Sequence, residues 1–98
     1  MDEVRNFEYP ASATIHAEVR DTSDDLVDPT SIVITITHIG GTVVTNAVAM
    51  TKDDVGLYSY TYRPASYLPG YYNAKATITD GSGGTAFISI KYGGFNIL

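Results

Sequence analysis

The run Ile32-Val33-Ile34-Thr35-Ile36-Thr37 constrains the fold more than any other part of the chain. All six residues branch at Cβ. Such side chains lose rotamer freedom in a helix and pack well on a pleated surface. The isoleucines alternate with Val33, Thr35 and Thr37, so the segment over 31–38 reads as a strand with one apolar face.

The same period of two returns along the chain. Ile15, Ala17 and Val19 share a face over 13–20, with His16, Glu18 and Arg20 opposite. Tyr58, Tyr60 and Tyr62 share one over 57–62, with Leu57, Ser59 and Thr61 opposite. From Gly70 onward, Tyr72, Ala74, Ala76 and Ile78 face one way, and Tyr71, Asn73, Lys75 and Thr77 the other. Over 85–92, Ala86, Ile88 and Ile90 oppose Phe87, Ser89 and Lys91. A strand over 42–50 carries Val43, Val44, Ala47, Val48 and Ala49, with an imperfect alternation that leaves its register loose.

Between these runs lie turn signals. Gly40-Gly41 supplies the positive φ of a tight hairpin. The stretch 51–55 reads as a polar connection. Pro64 and Pro69 bound a link that ends strand pairing on either side. Asp80 opens a Gly-rich hairpin loop with Gly81, Gly83 and Gly84. Gly93-Gly94 bends or bulges the last strand, and 95–98 resumes it. Residues 1–12 lack periodicity and read as a loose tail or linker, leaving 13–98 as the domain. No helical period is long enough for a helix. The expectation is an all-β sandwich or barrel of six to seven antiparallel strands.

Ninety-eight residues suit one domain. Such a chain buries roughly 60–65% of the surface that its unfolded form exposes, enough for a single core. Cysteine is absent, which removes disulfides and thiolate metal sites. Net charge is −5, and the six Lys and Arg residues are scattered. Nucleic acid is therefore a poor partner, and a polybasic membrane patch is absent. No apolar run approaches the roughly 20 residues of a membrane helix, so no membrane insertion is expected. The start Met1-Asp2-Glu3 shows no signal-peptide pattern.

The segment Gly70-Tyr71-Tyr72-Asn73-Ala74 resembles the Gly-x-Tyr-x-Cys opening of the penultimate strand in immunoglobulin domains, with Ala74 in the place of the cysteine. The resemblance implies that Tyr72 is a tyrosine-corner residue, its ring in the core and its hydroxyl bonded to nearby backbone. The order of Val27-Asp28-Pro29-Thr30-Ser31, then Gly56 to Tyr60, then Pro69 to Tyr72 is similar to immunoglobulin-like modules of bacterial and archaeal surface proteins and macroglobulin-type domains. With neither cysteine nor tryptophan, this is not an antibody-type domain, and no thioester can form.

Asp21, Asp24, Asp25 and Asp28 form an acidic loop that calcium, with its about six to eight oxygen ligands, could use. Their spacing does not match the Asp-x-Asp-x-Asp-Gly loop, and the bland reading is a solvated loop with Asp28 capping a turn. His16 and His38 have no patterned partner for a triad or a zinc site. Tyr58, Tyr60 and Tyr72 read as core. Tyr62, Tyr67 and Tyr71 are the candidates for ligand contact. No cofactor is implied, calcium apart. The expected function is a non-catalytic spacer or display module of a larger surface, secreted or virion protein. The alternative is a carbohydrate-binding module that uses those three tyrosines. Self-association through an exposed edge is also expected, with the Gly93-Gly94-bent last strand as the candidate.

Overall fold

The computed structural model describes residues 4–79, 86–91 and 93–98. These hold nine strands: β1 (Val4–Phe7), β2 (Ala13–Asp21), β3 (Ser31–His38), β4 (Val43–Ala49), β5 (Thr51–Asp54), β6 (Leu57–Tyr62), β7 (Gly70–Thr79), β8 (Ala86–Lys91) and β9 (Gly94–Ile97). They form a five-stranded sheet, β1-β9-β7-β3-β4, and a four-stranded sheet, β5-β6-β2-β8. No helix long and apolar enough to cross a membrane occurs among the described residues.

Alternation decides which face each sheet turns inward. Ile32, Ile34 and Ile36 of β3 are buried, as are Ile15, Ala17 and Val19 of β2. Tyr72, Ala74 and Ala76 of β7 join them, with Tyr58 and Tyr62 of β6. Ile78, Ile88, Ile90 and Tyr60 pack against this core while partly exposed. The two inner faces thus interdigitate as a sandwich. Each large aliphatic side chain so buried contributes about 1.5–3 kcal/mol.

Four expectations change. The strand count rises from six or seven because two short polar segments are strands. One is the stretch 51–55, read as a connection. Its residues Thr51–Asp54 pair antiparallel with β6 as an outer strand. Its side chains are all exposed, so it has no apolar face to signal it. The other is the tail. Val4–Phe7 runs parallel to β9, with Val4 beside Gly94 and Phe7 beside Ile97. Asn96 Nδ2 donates to Asn6 Oδ1 across that pair at 3.1 Å, and the Phe7 ring meets Phe95 edge-on at 5.9 Å. The sheet therefore contains one parallel pair, which corrects the all-antiparallel expectation, and the domain reaches at least to Val4.

The last strand is the fourth correction. It is two strands, β8 and β9, in different sheets, and the chain crosses between Lys91 and Gly94. Strand β9 lies between β1 and β7, so its backbone is paired on both sides, whereas β8, the larger part of the strand expected over 85–92, is an outermost strand of the four-stranded sheet and keeps the edge on which self-association was expected. Strand β4 is an outermost strand, and none of its residues is charged. A bulge breaks it: Ala47 has φ 49° and donates its N–H to Thr35 Oγ1 at 3.1 Å. Such a bulge twists an edge away from pairing. The hairpin at Asp80, Gly81, Gly83 and Gly84 lies outside the described residues, as do the side chains of Ala86, Phe87 and Lys91.

Candidate functional site

One end of the sandwich gathers the features that can act on a partner. It begins in the core with Tyr72, fully buried near the start of β7. Its ring stacks parallel to Phe95 at 5.1 Å, with Tyr62 at 5.8 Å and the His38 imidazole edge-on at 5.0 Å. Burial pushes the Tyr72 and Tyr62 phenols up from their ordinary value. The Tyr72 hydroxyl donates to the Leu68 carbonyl, four residues upstream. A phenol that reaches back from the core to its own preceding loop fastens that loop to the sheet.

His38 fastens the same loop from the end of β3. Gly40 N–H donates to His38 Nδ1 at 3.0 Å, so that nitrogen is an acceptor. The other ring nitrogen, Nε2, then carries the proton and donates to the Pro69 carbonyl at 2.9 Å. Gly70 follows with φ +129°, and a Cβ there would fall 2.8 Å from His38 Nε2. Gly70→Ala is expected to cost about 1–3 kcal/mol, because it meets both a backbone conformation closed to side chains and a fixed imidazole. Chemical denaturation checks this; a loss below about 0.5 kcal/mol would show that the imidazole gives way freely.

The loop so held carries Tyr67. Its side chain points outward, with the residue 57% exposed. Beside it stands Tyr9, 39% exposed, with ring centroids 5.4 Å apart and planes tilted by 53°. Tyr9 sits in a turn closed by Ala11 N–H donating to the Glu8 carbonyl at 2.7 Å. The turn is anchored because Leu98 N–H donates to the Phe7 carbonyl at 2.8 Å. Glu8, Tyr9, Tyr67 and Leu98 line an open hollow of about 530 Å³.

The three tyrosines chosen from the sequence do not form one surface. Tyr62 is buried against the stacked rings of Tyr72 and Phe95. Tyr71 lies across the sheet onto Gly94, where a Cβ would come within 2.6 Å of its Cζ. Only Tyr67 is open, and its neighbour is Tyr9, a residue assigned to the loose tail.

No family model matches the chain, and no curated protein matches it. Among solved structures, the crystal structure of the Lin-41 filamin domain is similar, with a TM-score of 0.61 at 20% identity. The match covers 89% of this chain and 84% of that one. The fold is an immunoglobulin-like β-sandwich. Tyr72 occupies the tyrosine-corner position that the Gly-x-Tyr resemblance implies for it, and Leu68 is its backbone partner.

In this immunoglobulin-like frame the acidic loop has other employment. Asp21 Oδ1 accepts from the backbone N–H groups of Ser23 and Asp25 at 2.9 and 3.1 Å. Asp24 lies 3.9 Å from Arg20. Asp28 leaves the loop altogether. Its Oδ2 accepts from Lys52 Nζ at 2.7 Å, and its Oδ1 accepts from Gly56 N–H at 2.9 Å and the Tyr58 hydroxyl at 3.1 Å. Asp21, Asp24, Asp25 and Asp28 are thus not drawn round one point, and no three His, Cys, Asp or Glu residues gather to hold a metal among the described residues. Turn bonds engage Asp21 Oδ1, and Arg20 and Lys52 stand beside the carboxylates of Asp24 and Asp28. Through these bonds Asp28 ties the β2–β3 connection to the β5–β6 hairpin.

The Lys52 ammonium, then the Gly56 N–H, hold the Asp28 carboxyl below the usual carboxylate range. A depressed value means that the native state binds this proton less readily than the unfolded chain does. The stabilisation is present above the ordinary value of 3.8 and is lost as pH falls through the lower native value. Asp28→Asn is expected to lower the urea midpoint at neutral pH and to flatten stability against pH below 3.8. An unchanged acid limb in the variant would contradict this role.

His16 is exposed on the outer face of the four-stranded sheet, as expected. With Glu18, Asp53, Leu57 and Ser89 it lines a concavity of about 480 Å³.

Proposed function

We propose that the chain is a non-catalytic display and interaction module, one unit of a larger surface, secreted or virion protein. The observation that carries this reading is the exposed Tyr9–Tyr67 pair on a loop pinned from two sides, by Tyr72 at Leu68 and by His38 at Pro69. Two large aromatic rings left facing water forgo a sizeable burial gain. A rigid aromatic pair ordered before contact binds with little entropy loss, which suits it to recognition. Three of the shifted ionisable groups, Asp28, Lys52 and Tyr58, meet at the Asp28 carboxylate and hold two connections together, a use in stability rather than chemistry.

The test is backbone ¹⁵N relaxation over 64–69. A prearranged display loop has order parameters near the roughly 0.85 of rigid backbone. Values below about 0.6 would mean that the loop orders only on contact, and the display reading would fall.

A further inference from the structure

The ligand chemistry of the Tyr9–Tyr67 hollow can be read from its walls. The face of an aromatic ring is negative and attracts a cation placed within about 6 Å of its centroid. With centroids 5.4 Å apart, one cation can lie within that reach of both rings. Glu8 lines the same hollow and supplies a full negative charge. The chain's net charge of −5 extends the same sign outward and favours a basic partner.

We propose that this hollow binds a cationic side chain of a partner protein, arginine foremost. The inference rests on the display reading above and names its ligand. Arginine fits because its planar guanidinium stacks on an aromatic face while its N–H groups donate to a carboxylate; a lysine ammonium lacks the plane. The chain makes a cation–π contact of this kind within itself, where the Arg5 guanidinium carbon lies 4.8 Å from the centroid of the Phe7 ring. The two ring planes are tilted by 53° and so do not form one flat platform. That shape suits a compact charged head better than a flat sugar ring spread over both faces.

The experiment is an NMR titration of the ¹⁵N-labelled chain with N-acetyl-arginine amide, N-acetyl-citrulline amide and maltotriose. Citrulline keeps the shape of arginine and removes its charge. The expected result is a set of shifts centred on Glu8, Tyr9 and Tyr67 with arginine, weakened by added salt. Citrulline should bind at least about threefold more weakly. Tyr67→Ala should abolish the shifts and Glu8→Gln weaken them about three- to fivefold. Both side chains are exposed, so the rest of each variant's spectrum should match the parent and verify folding. Equal response to arginine and citrulline overturns the proposal, as does silence to all three probes. Maltotriose shifting the same amides while arginine does not would overturn the cation and leave the display reading intact. Low order parameters over 64–69 would instead remove the display reading, whatever the titration shows.

Discussion

Tyr72→Ala is expected to cost about 3–5 kcal/mol of folding stability. The ring is fully buried and touches both sheets: Phe95 of β9 is stacked on it, and Tyr62 of β6 lies against it. Truncation opens a cavity in the middle of the aromatic cluster and removes the donor to Leu68. Domains of this size are stable by only about 5–15 kcal/mol, so the variant should stand near the limit of folding. Tyr72→Phe separates the two effects. It keeps the packing and deletes the hydroxyl, leaving the Leu68 carbonyl without its phenol donor, at about 1–3 kcal/mol. Urea denaturation of both variants checks the pair. Equal losses would mean that the hydroxyl carries the whole effect and the cluster packs loosely.

The second large effect belongs to Gly56→Ala, at about 2–4 kcal/mol. Gly56 has φ +69° in the turn between β5 and β6. A Cβ there would fall 2.8 Å from the Val19 carbonyl oxygen and 3.0 Å from Val27 N. Both are backbone atoms bonded to each other, Val27 N–H donating to Val19 O at 3.0 Å, and Val19 N–H donates to the Gly56 carbonyl at 2.8 Å. The neighbours cannot give way without breaking that network. The same glycine supplies an N–H to Asp28, so a shift there also loosens the carboxylate. Gly41→Ala is the control: Gly41 has φ +99° but nothing within 4 Å of its added Cβ. It should show the backbone cost without the clash. A Gly56 variant no worse than the Gly41 variant would mean that the loop over Gly56 moves aside.

These effects show what was legible in the sequence and what was not. The inward faces of β2, β3, β6 and β7 followed from period two, because each face packs on the opposite sheet and the alternation is the packing. The tyrosine corner was legible through Gly70-x-Tyr72, since a glycine with positive φ and a buried phenol two residues on belong to one local device. Strand β5 was not, because an outer strand with every side chain in water leaves no apolar period. Strand β1 was not, because its order comes from β9, ninety residues away in the register Val4–Gly94. That missed pairing also hid the candidate site. Tyr67, a candidate for ligand contact, is exposed, but its neighbour Tyr9 is carried by the segment that read as a tail. Tyr62 and Tyr71 were chosen on face and loop position. The structure spends them on the aromatic cluster and on covering Gly94, contacts that no local pattern encodes. The four aspartates failed as a cluster for a similar reason: the partners of Asp28 lie some two dozen residues away, at Lys52, Gly56 and Tyr58.

The claim on which the functional reading stands is that the pinned link holds Tyr67 beside Tyr9. Proton NMR tests it most directly, through nuclear Overhauser contacts between the two rings in the intact chain. Rings with centroids 5.4 Å apart predict strong ring-to-ring cross-peaks, weakened in Tyr72→Phe, where the link loses its phenol tether. Absence of those cross-peaks in the parent chain would contradict the pairing, and with it the hollow and its ligand.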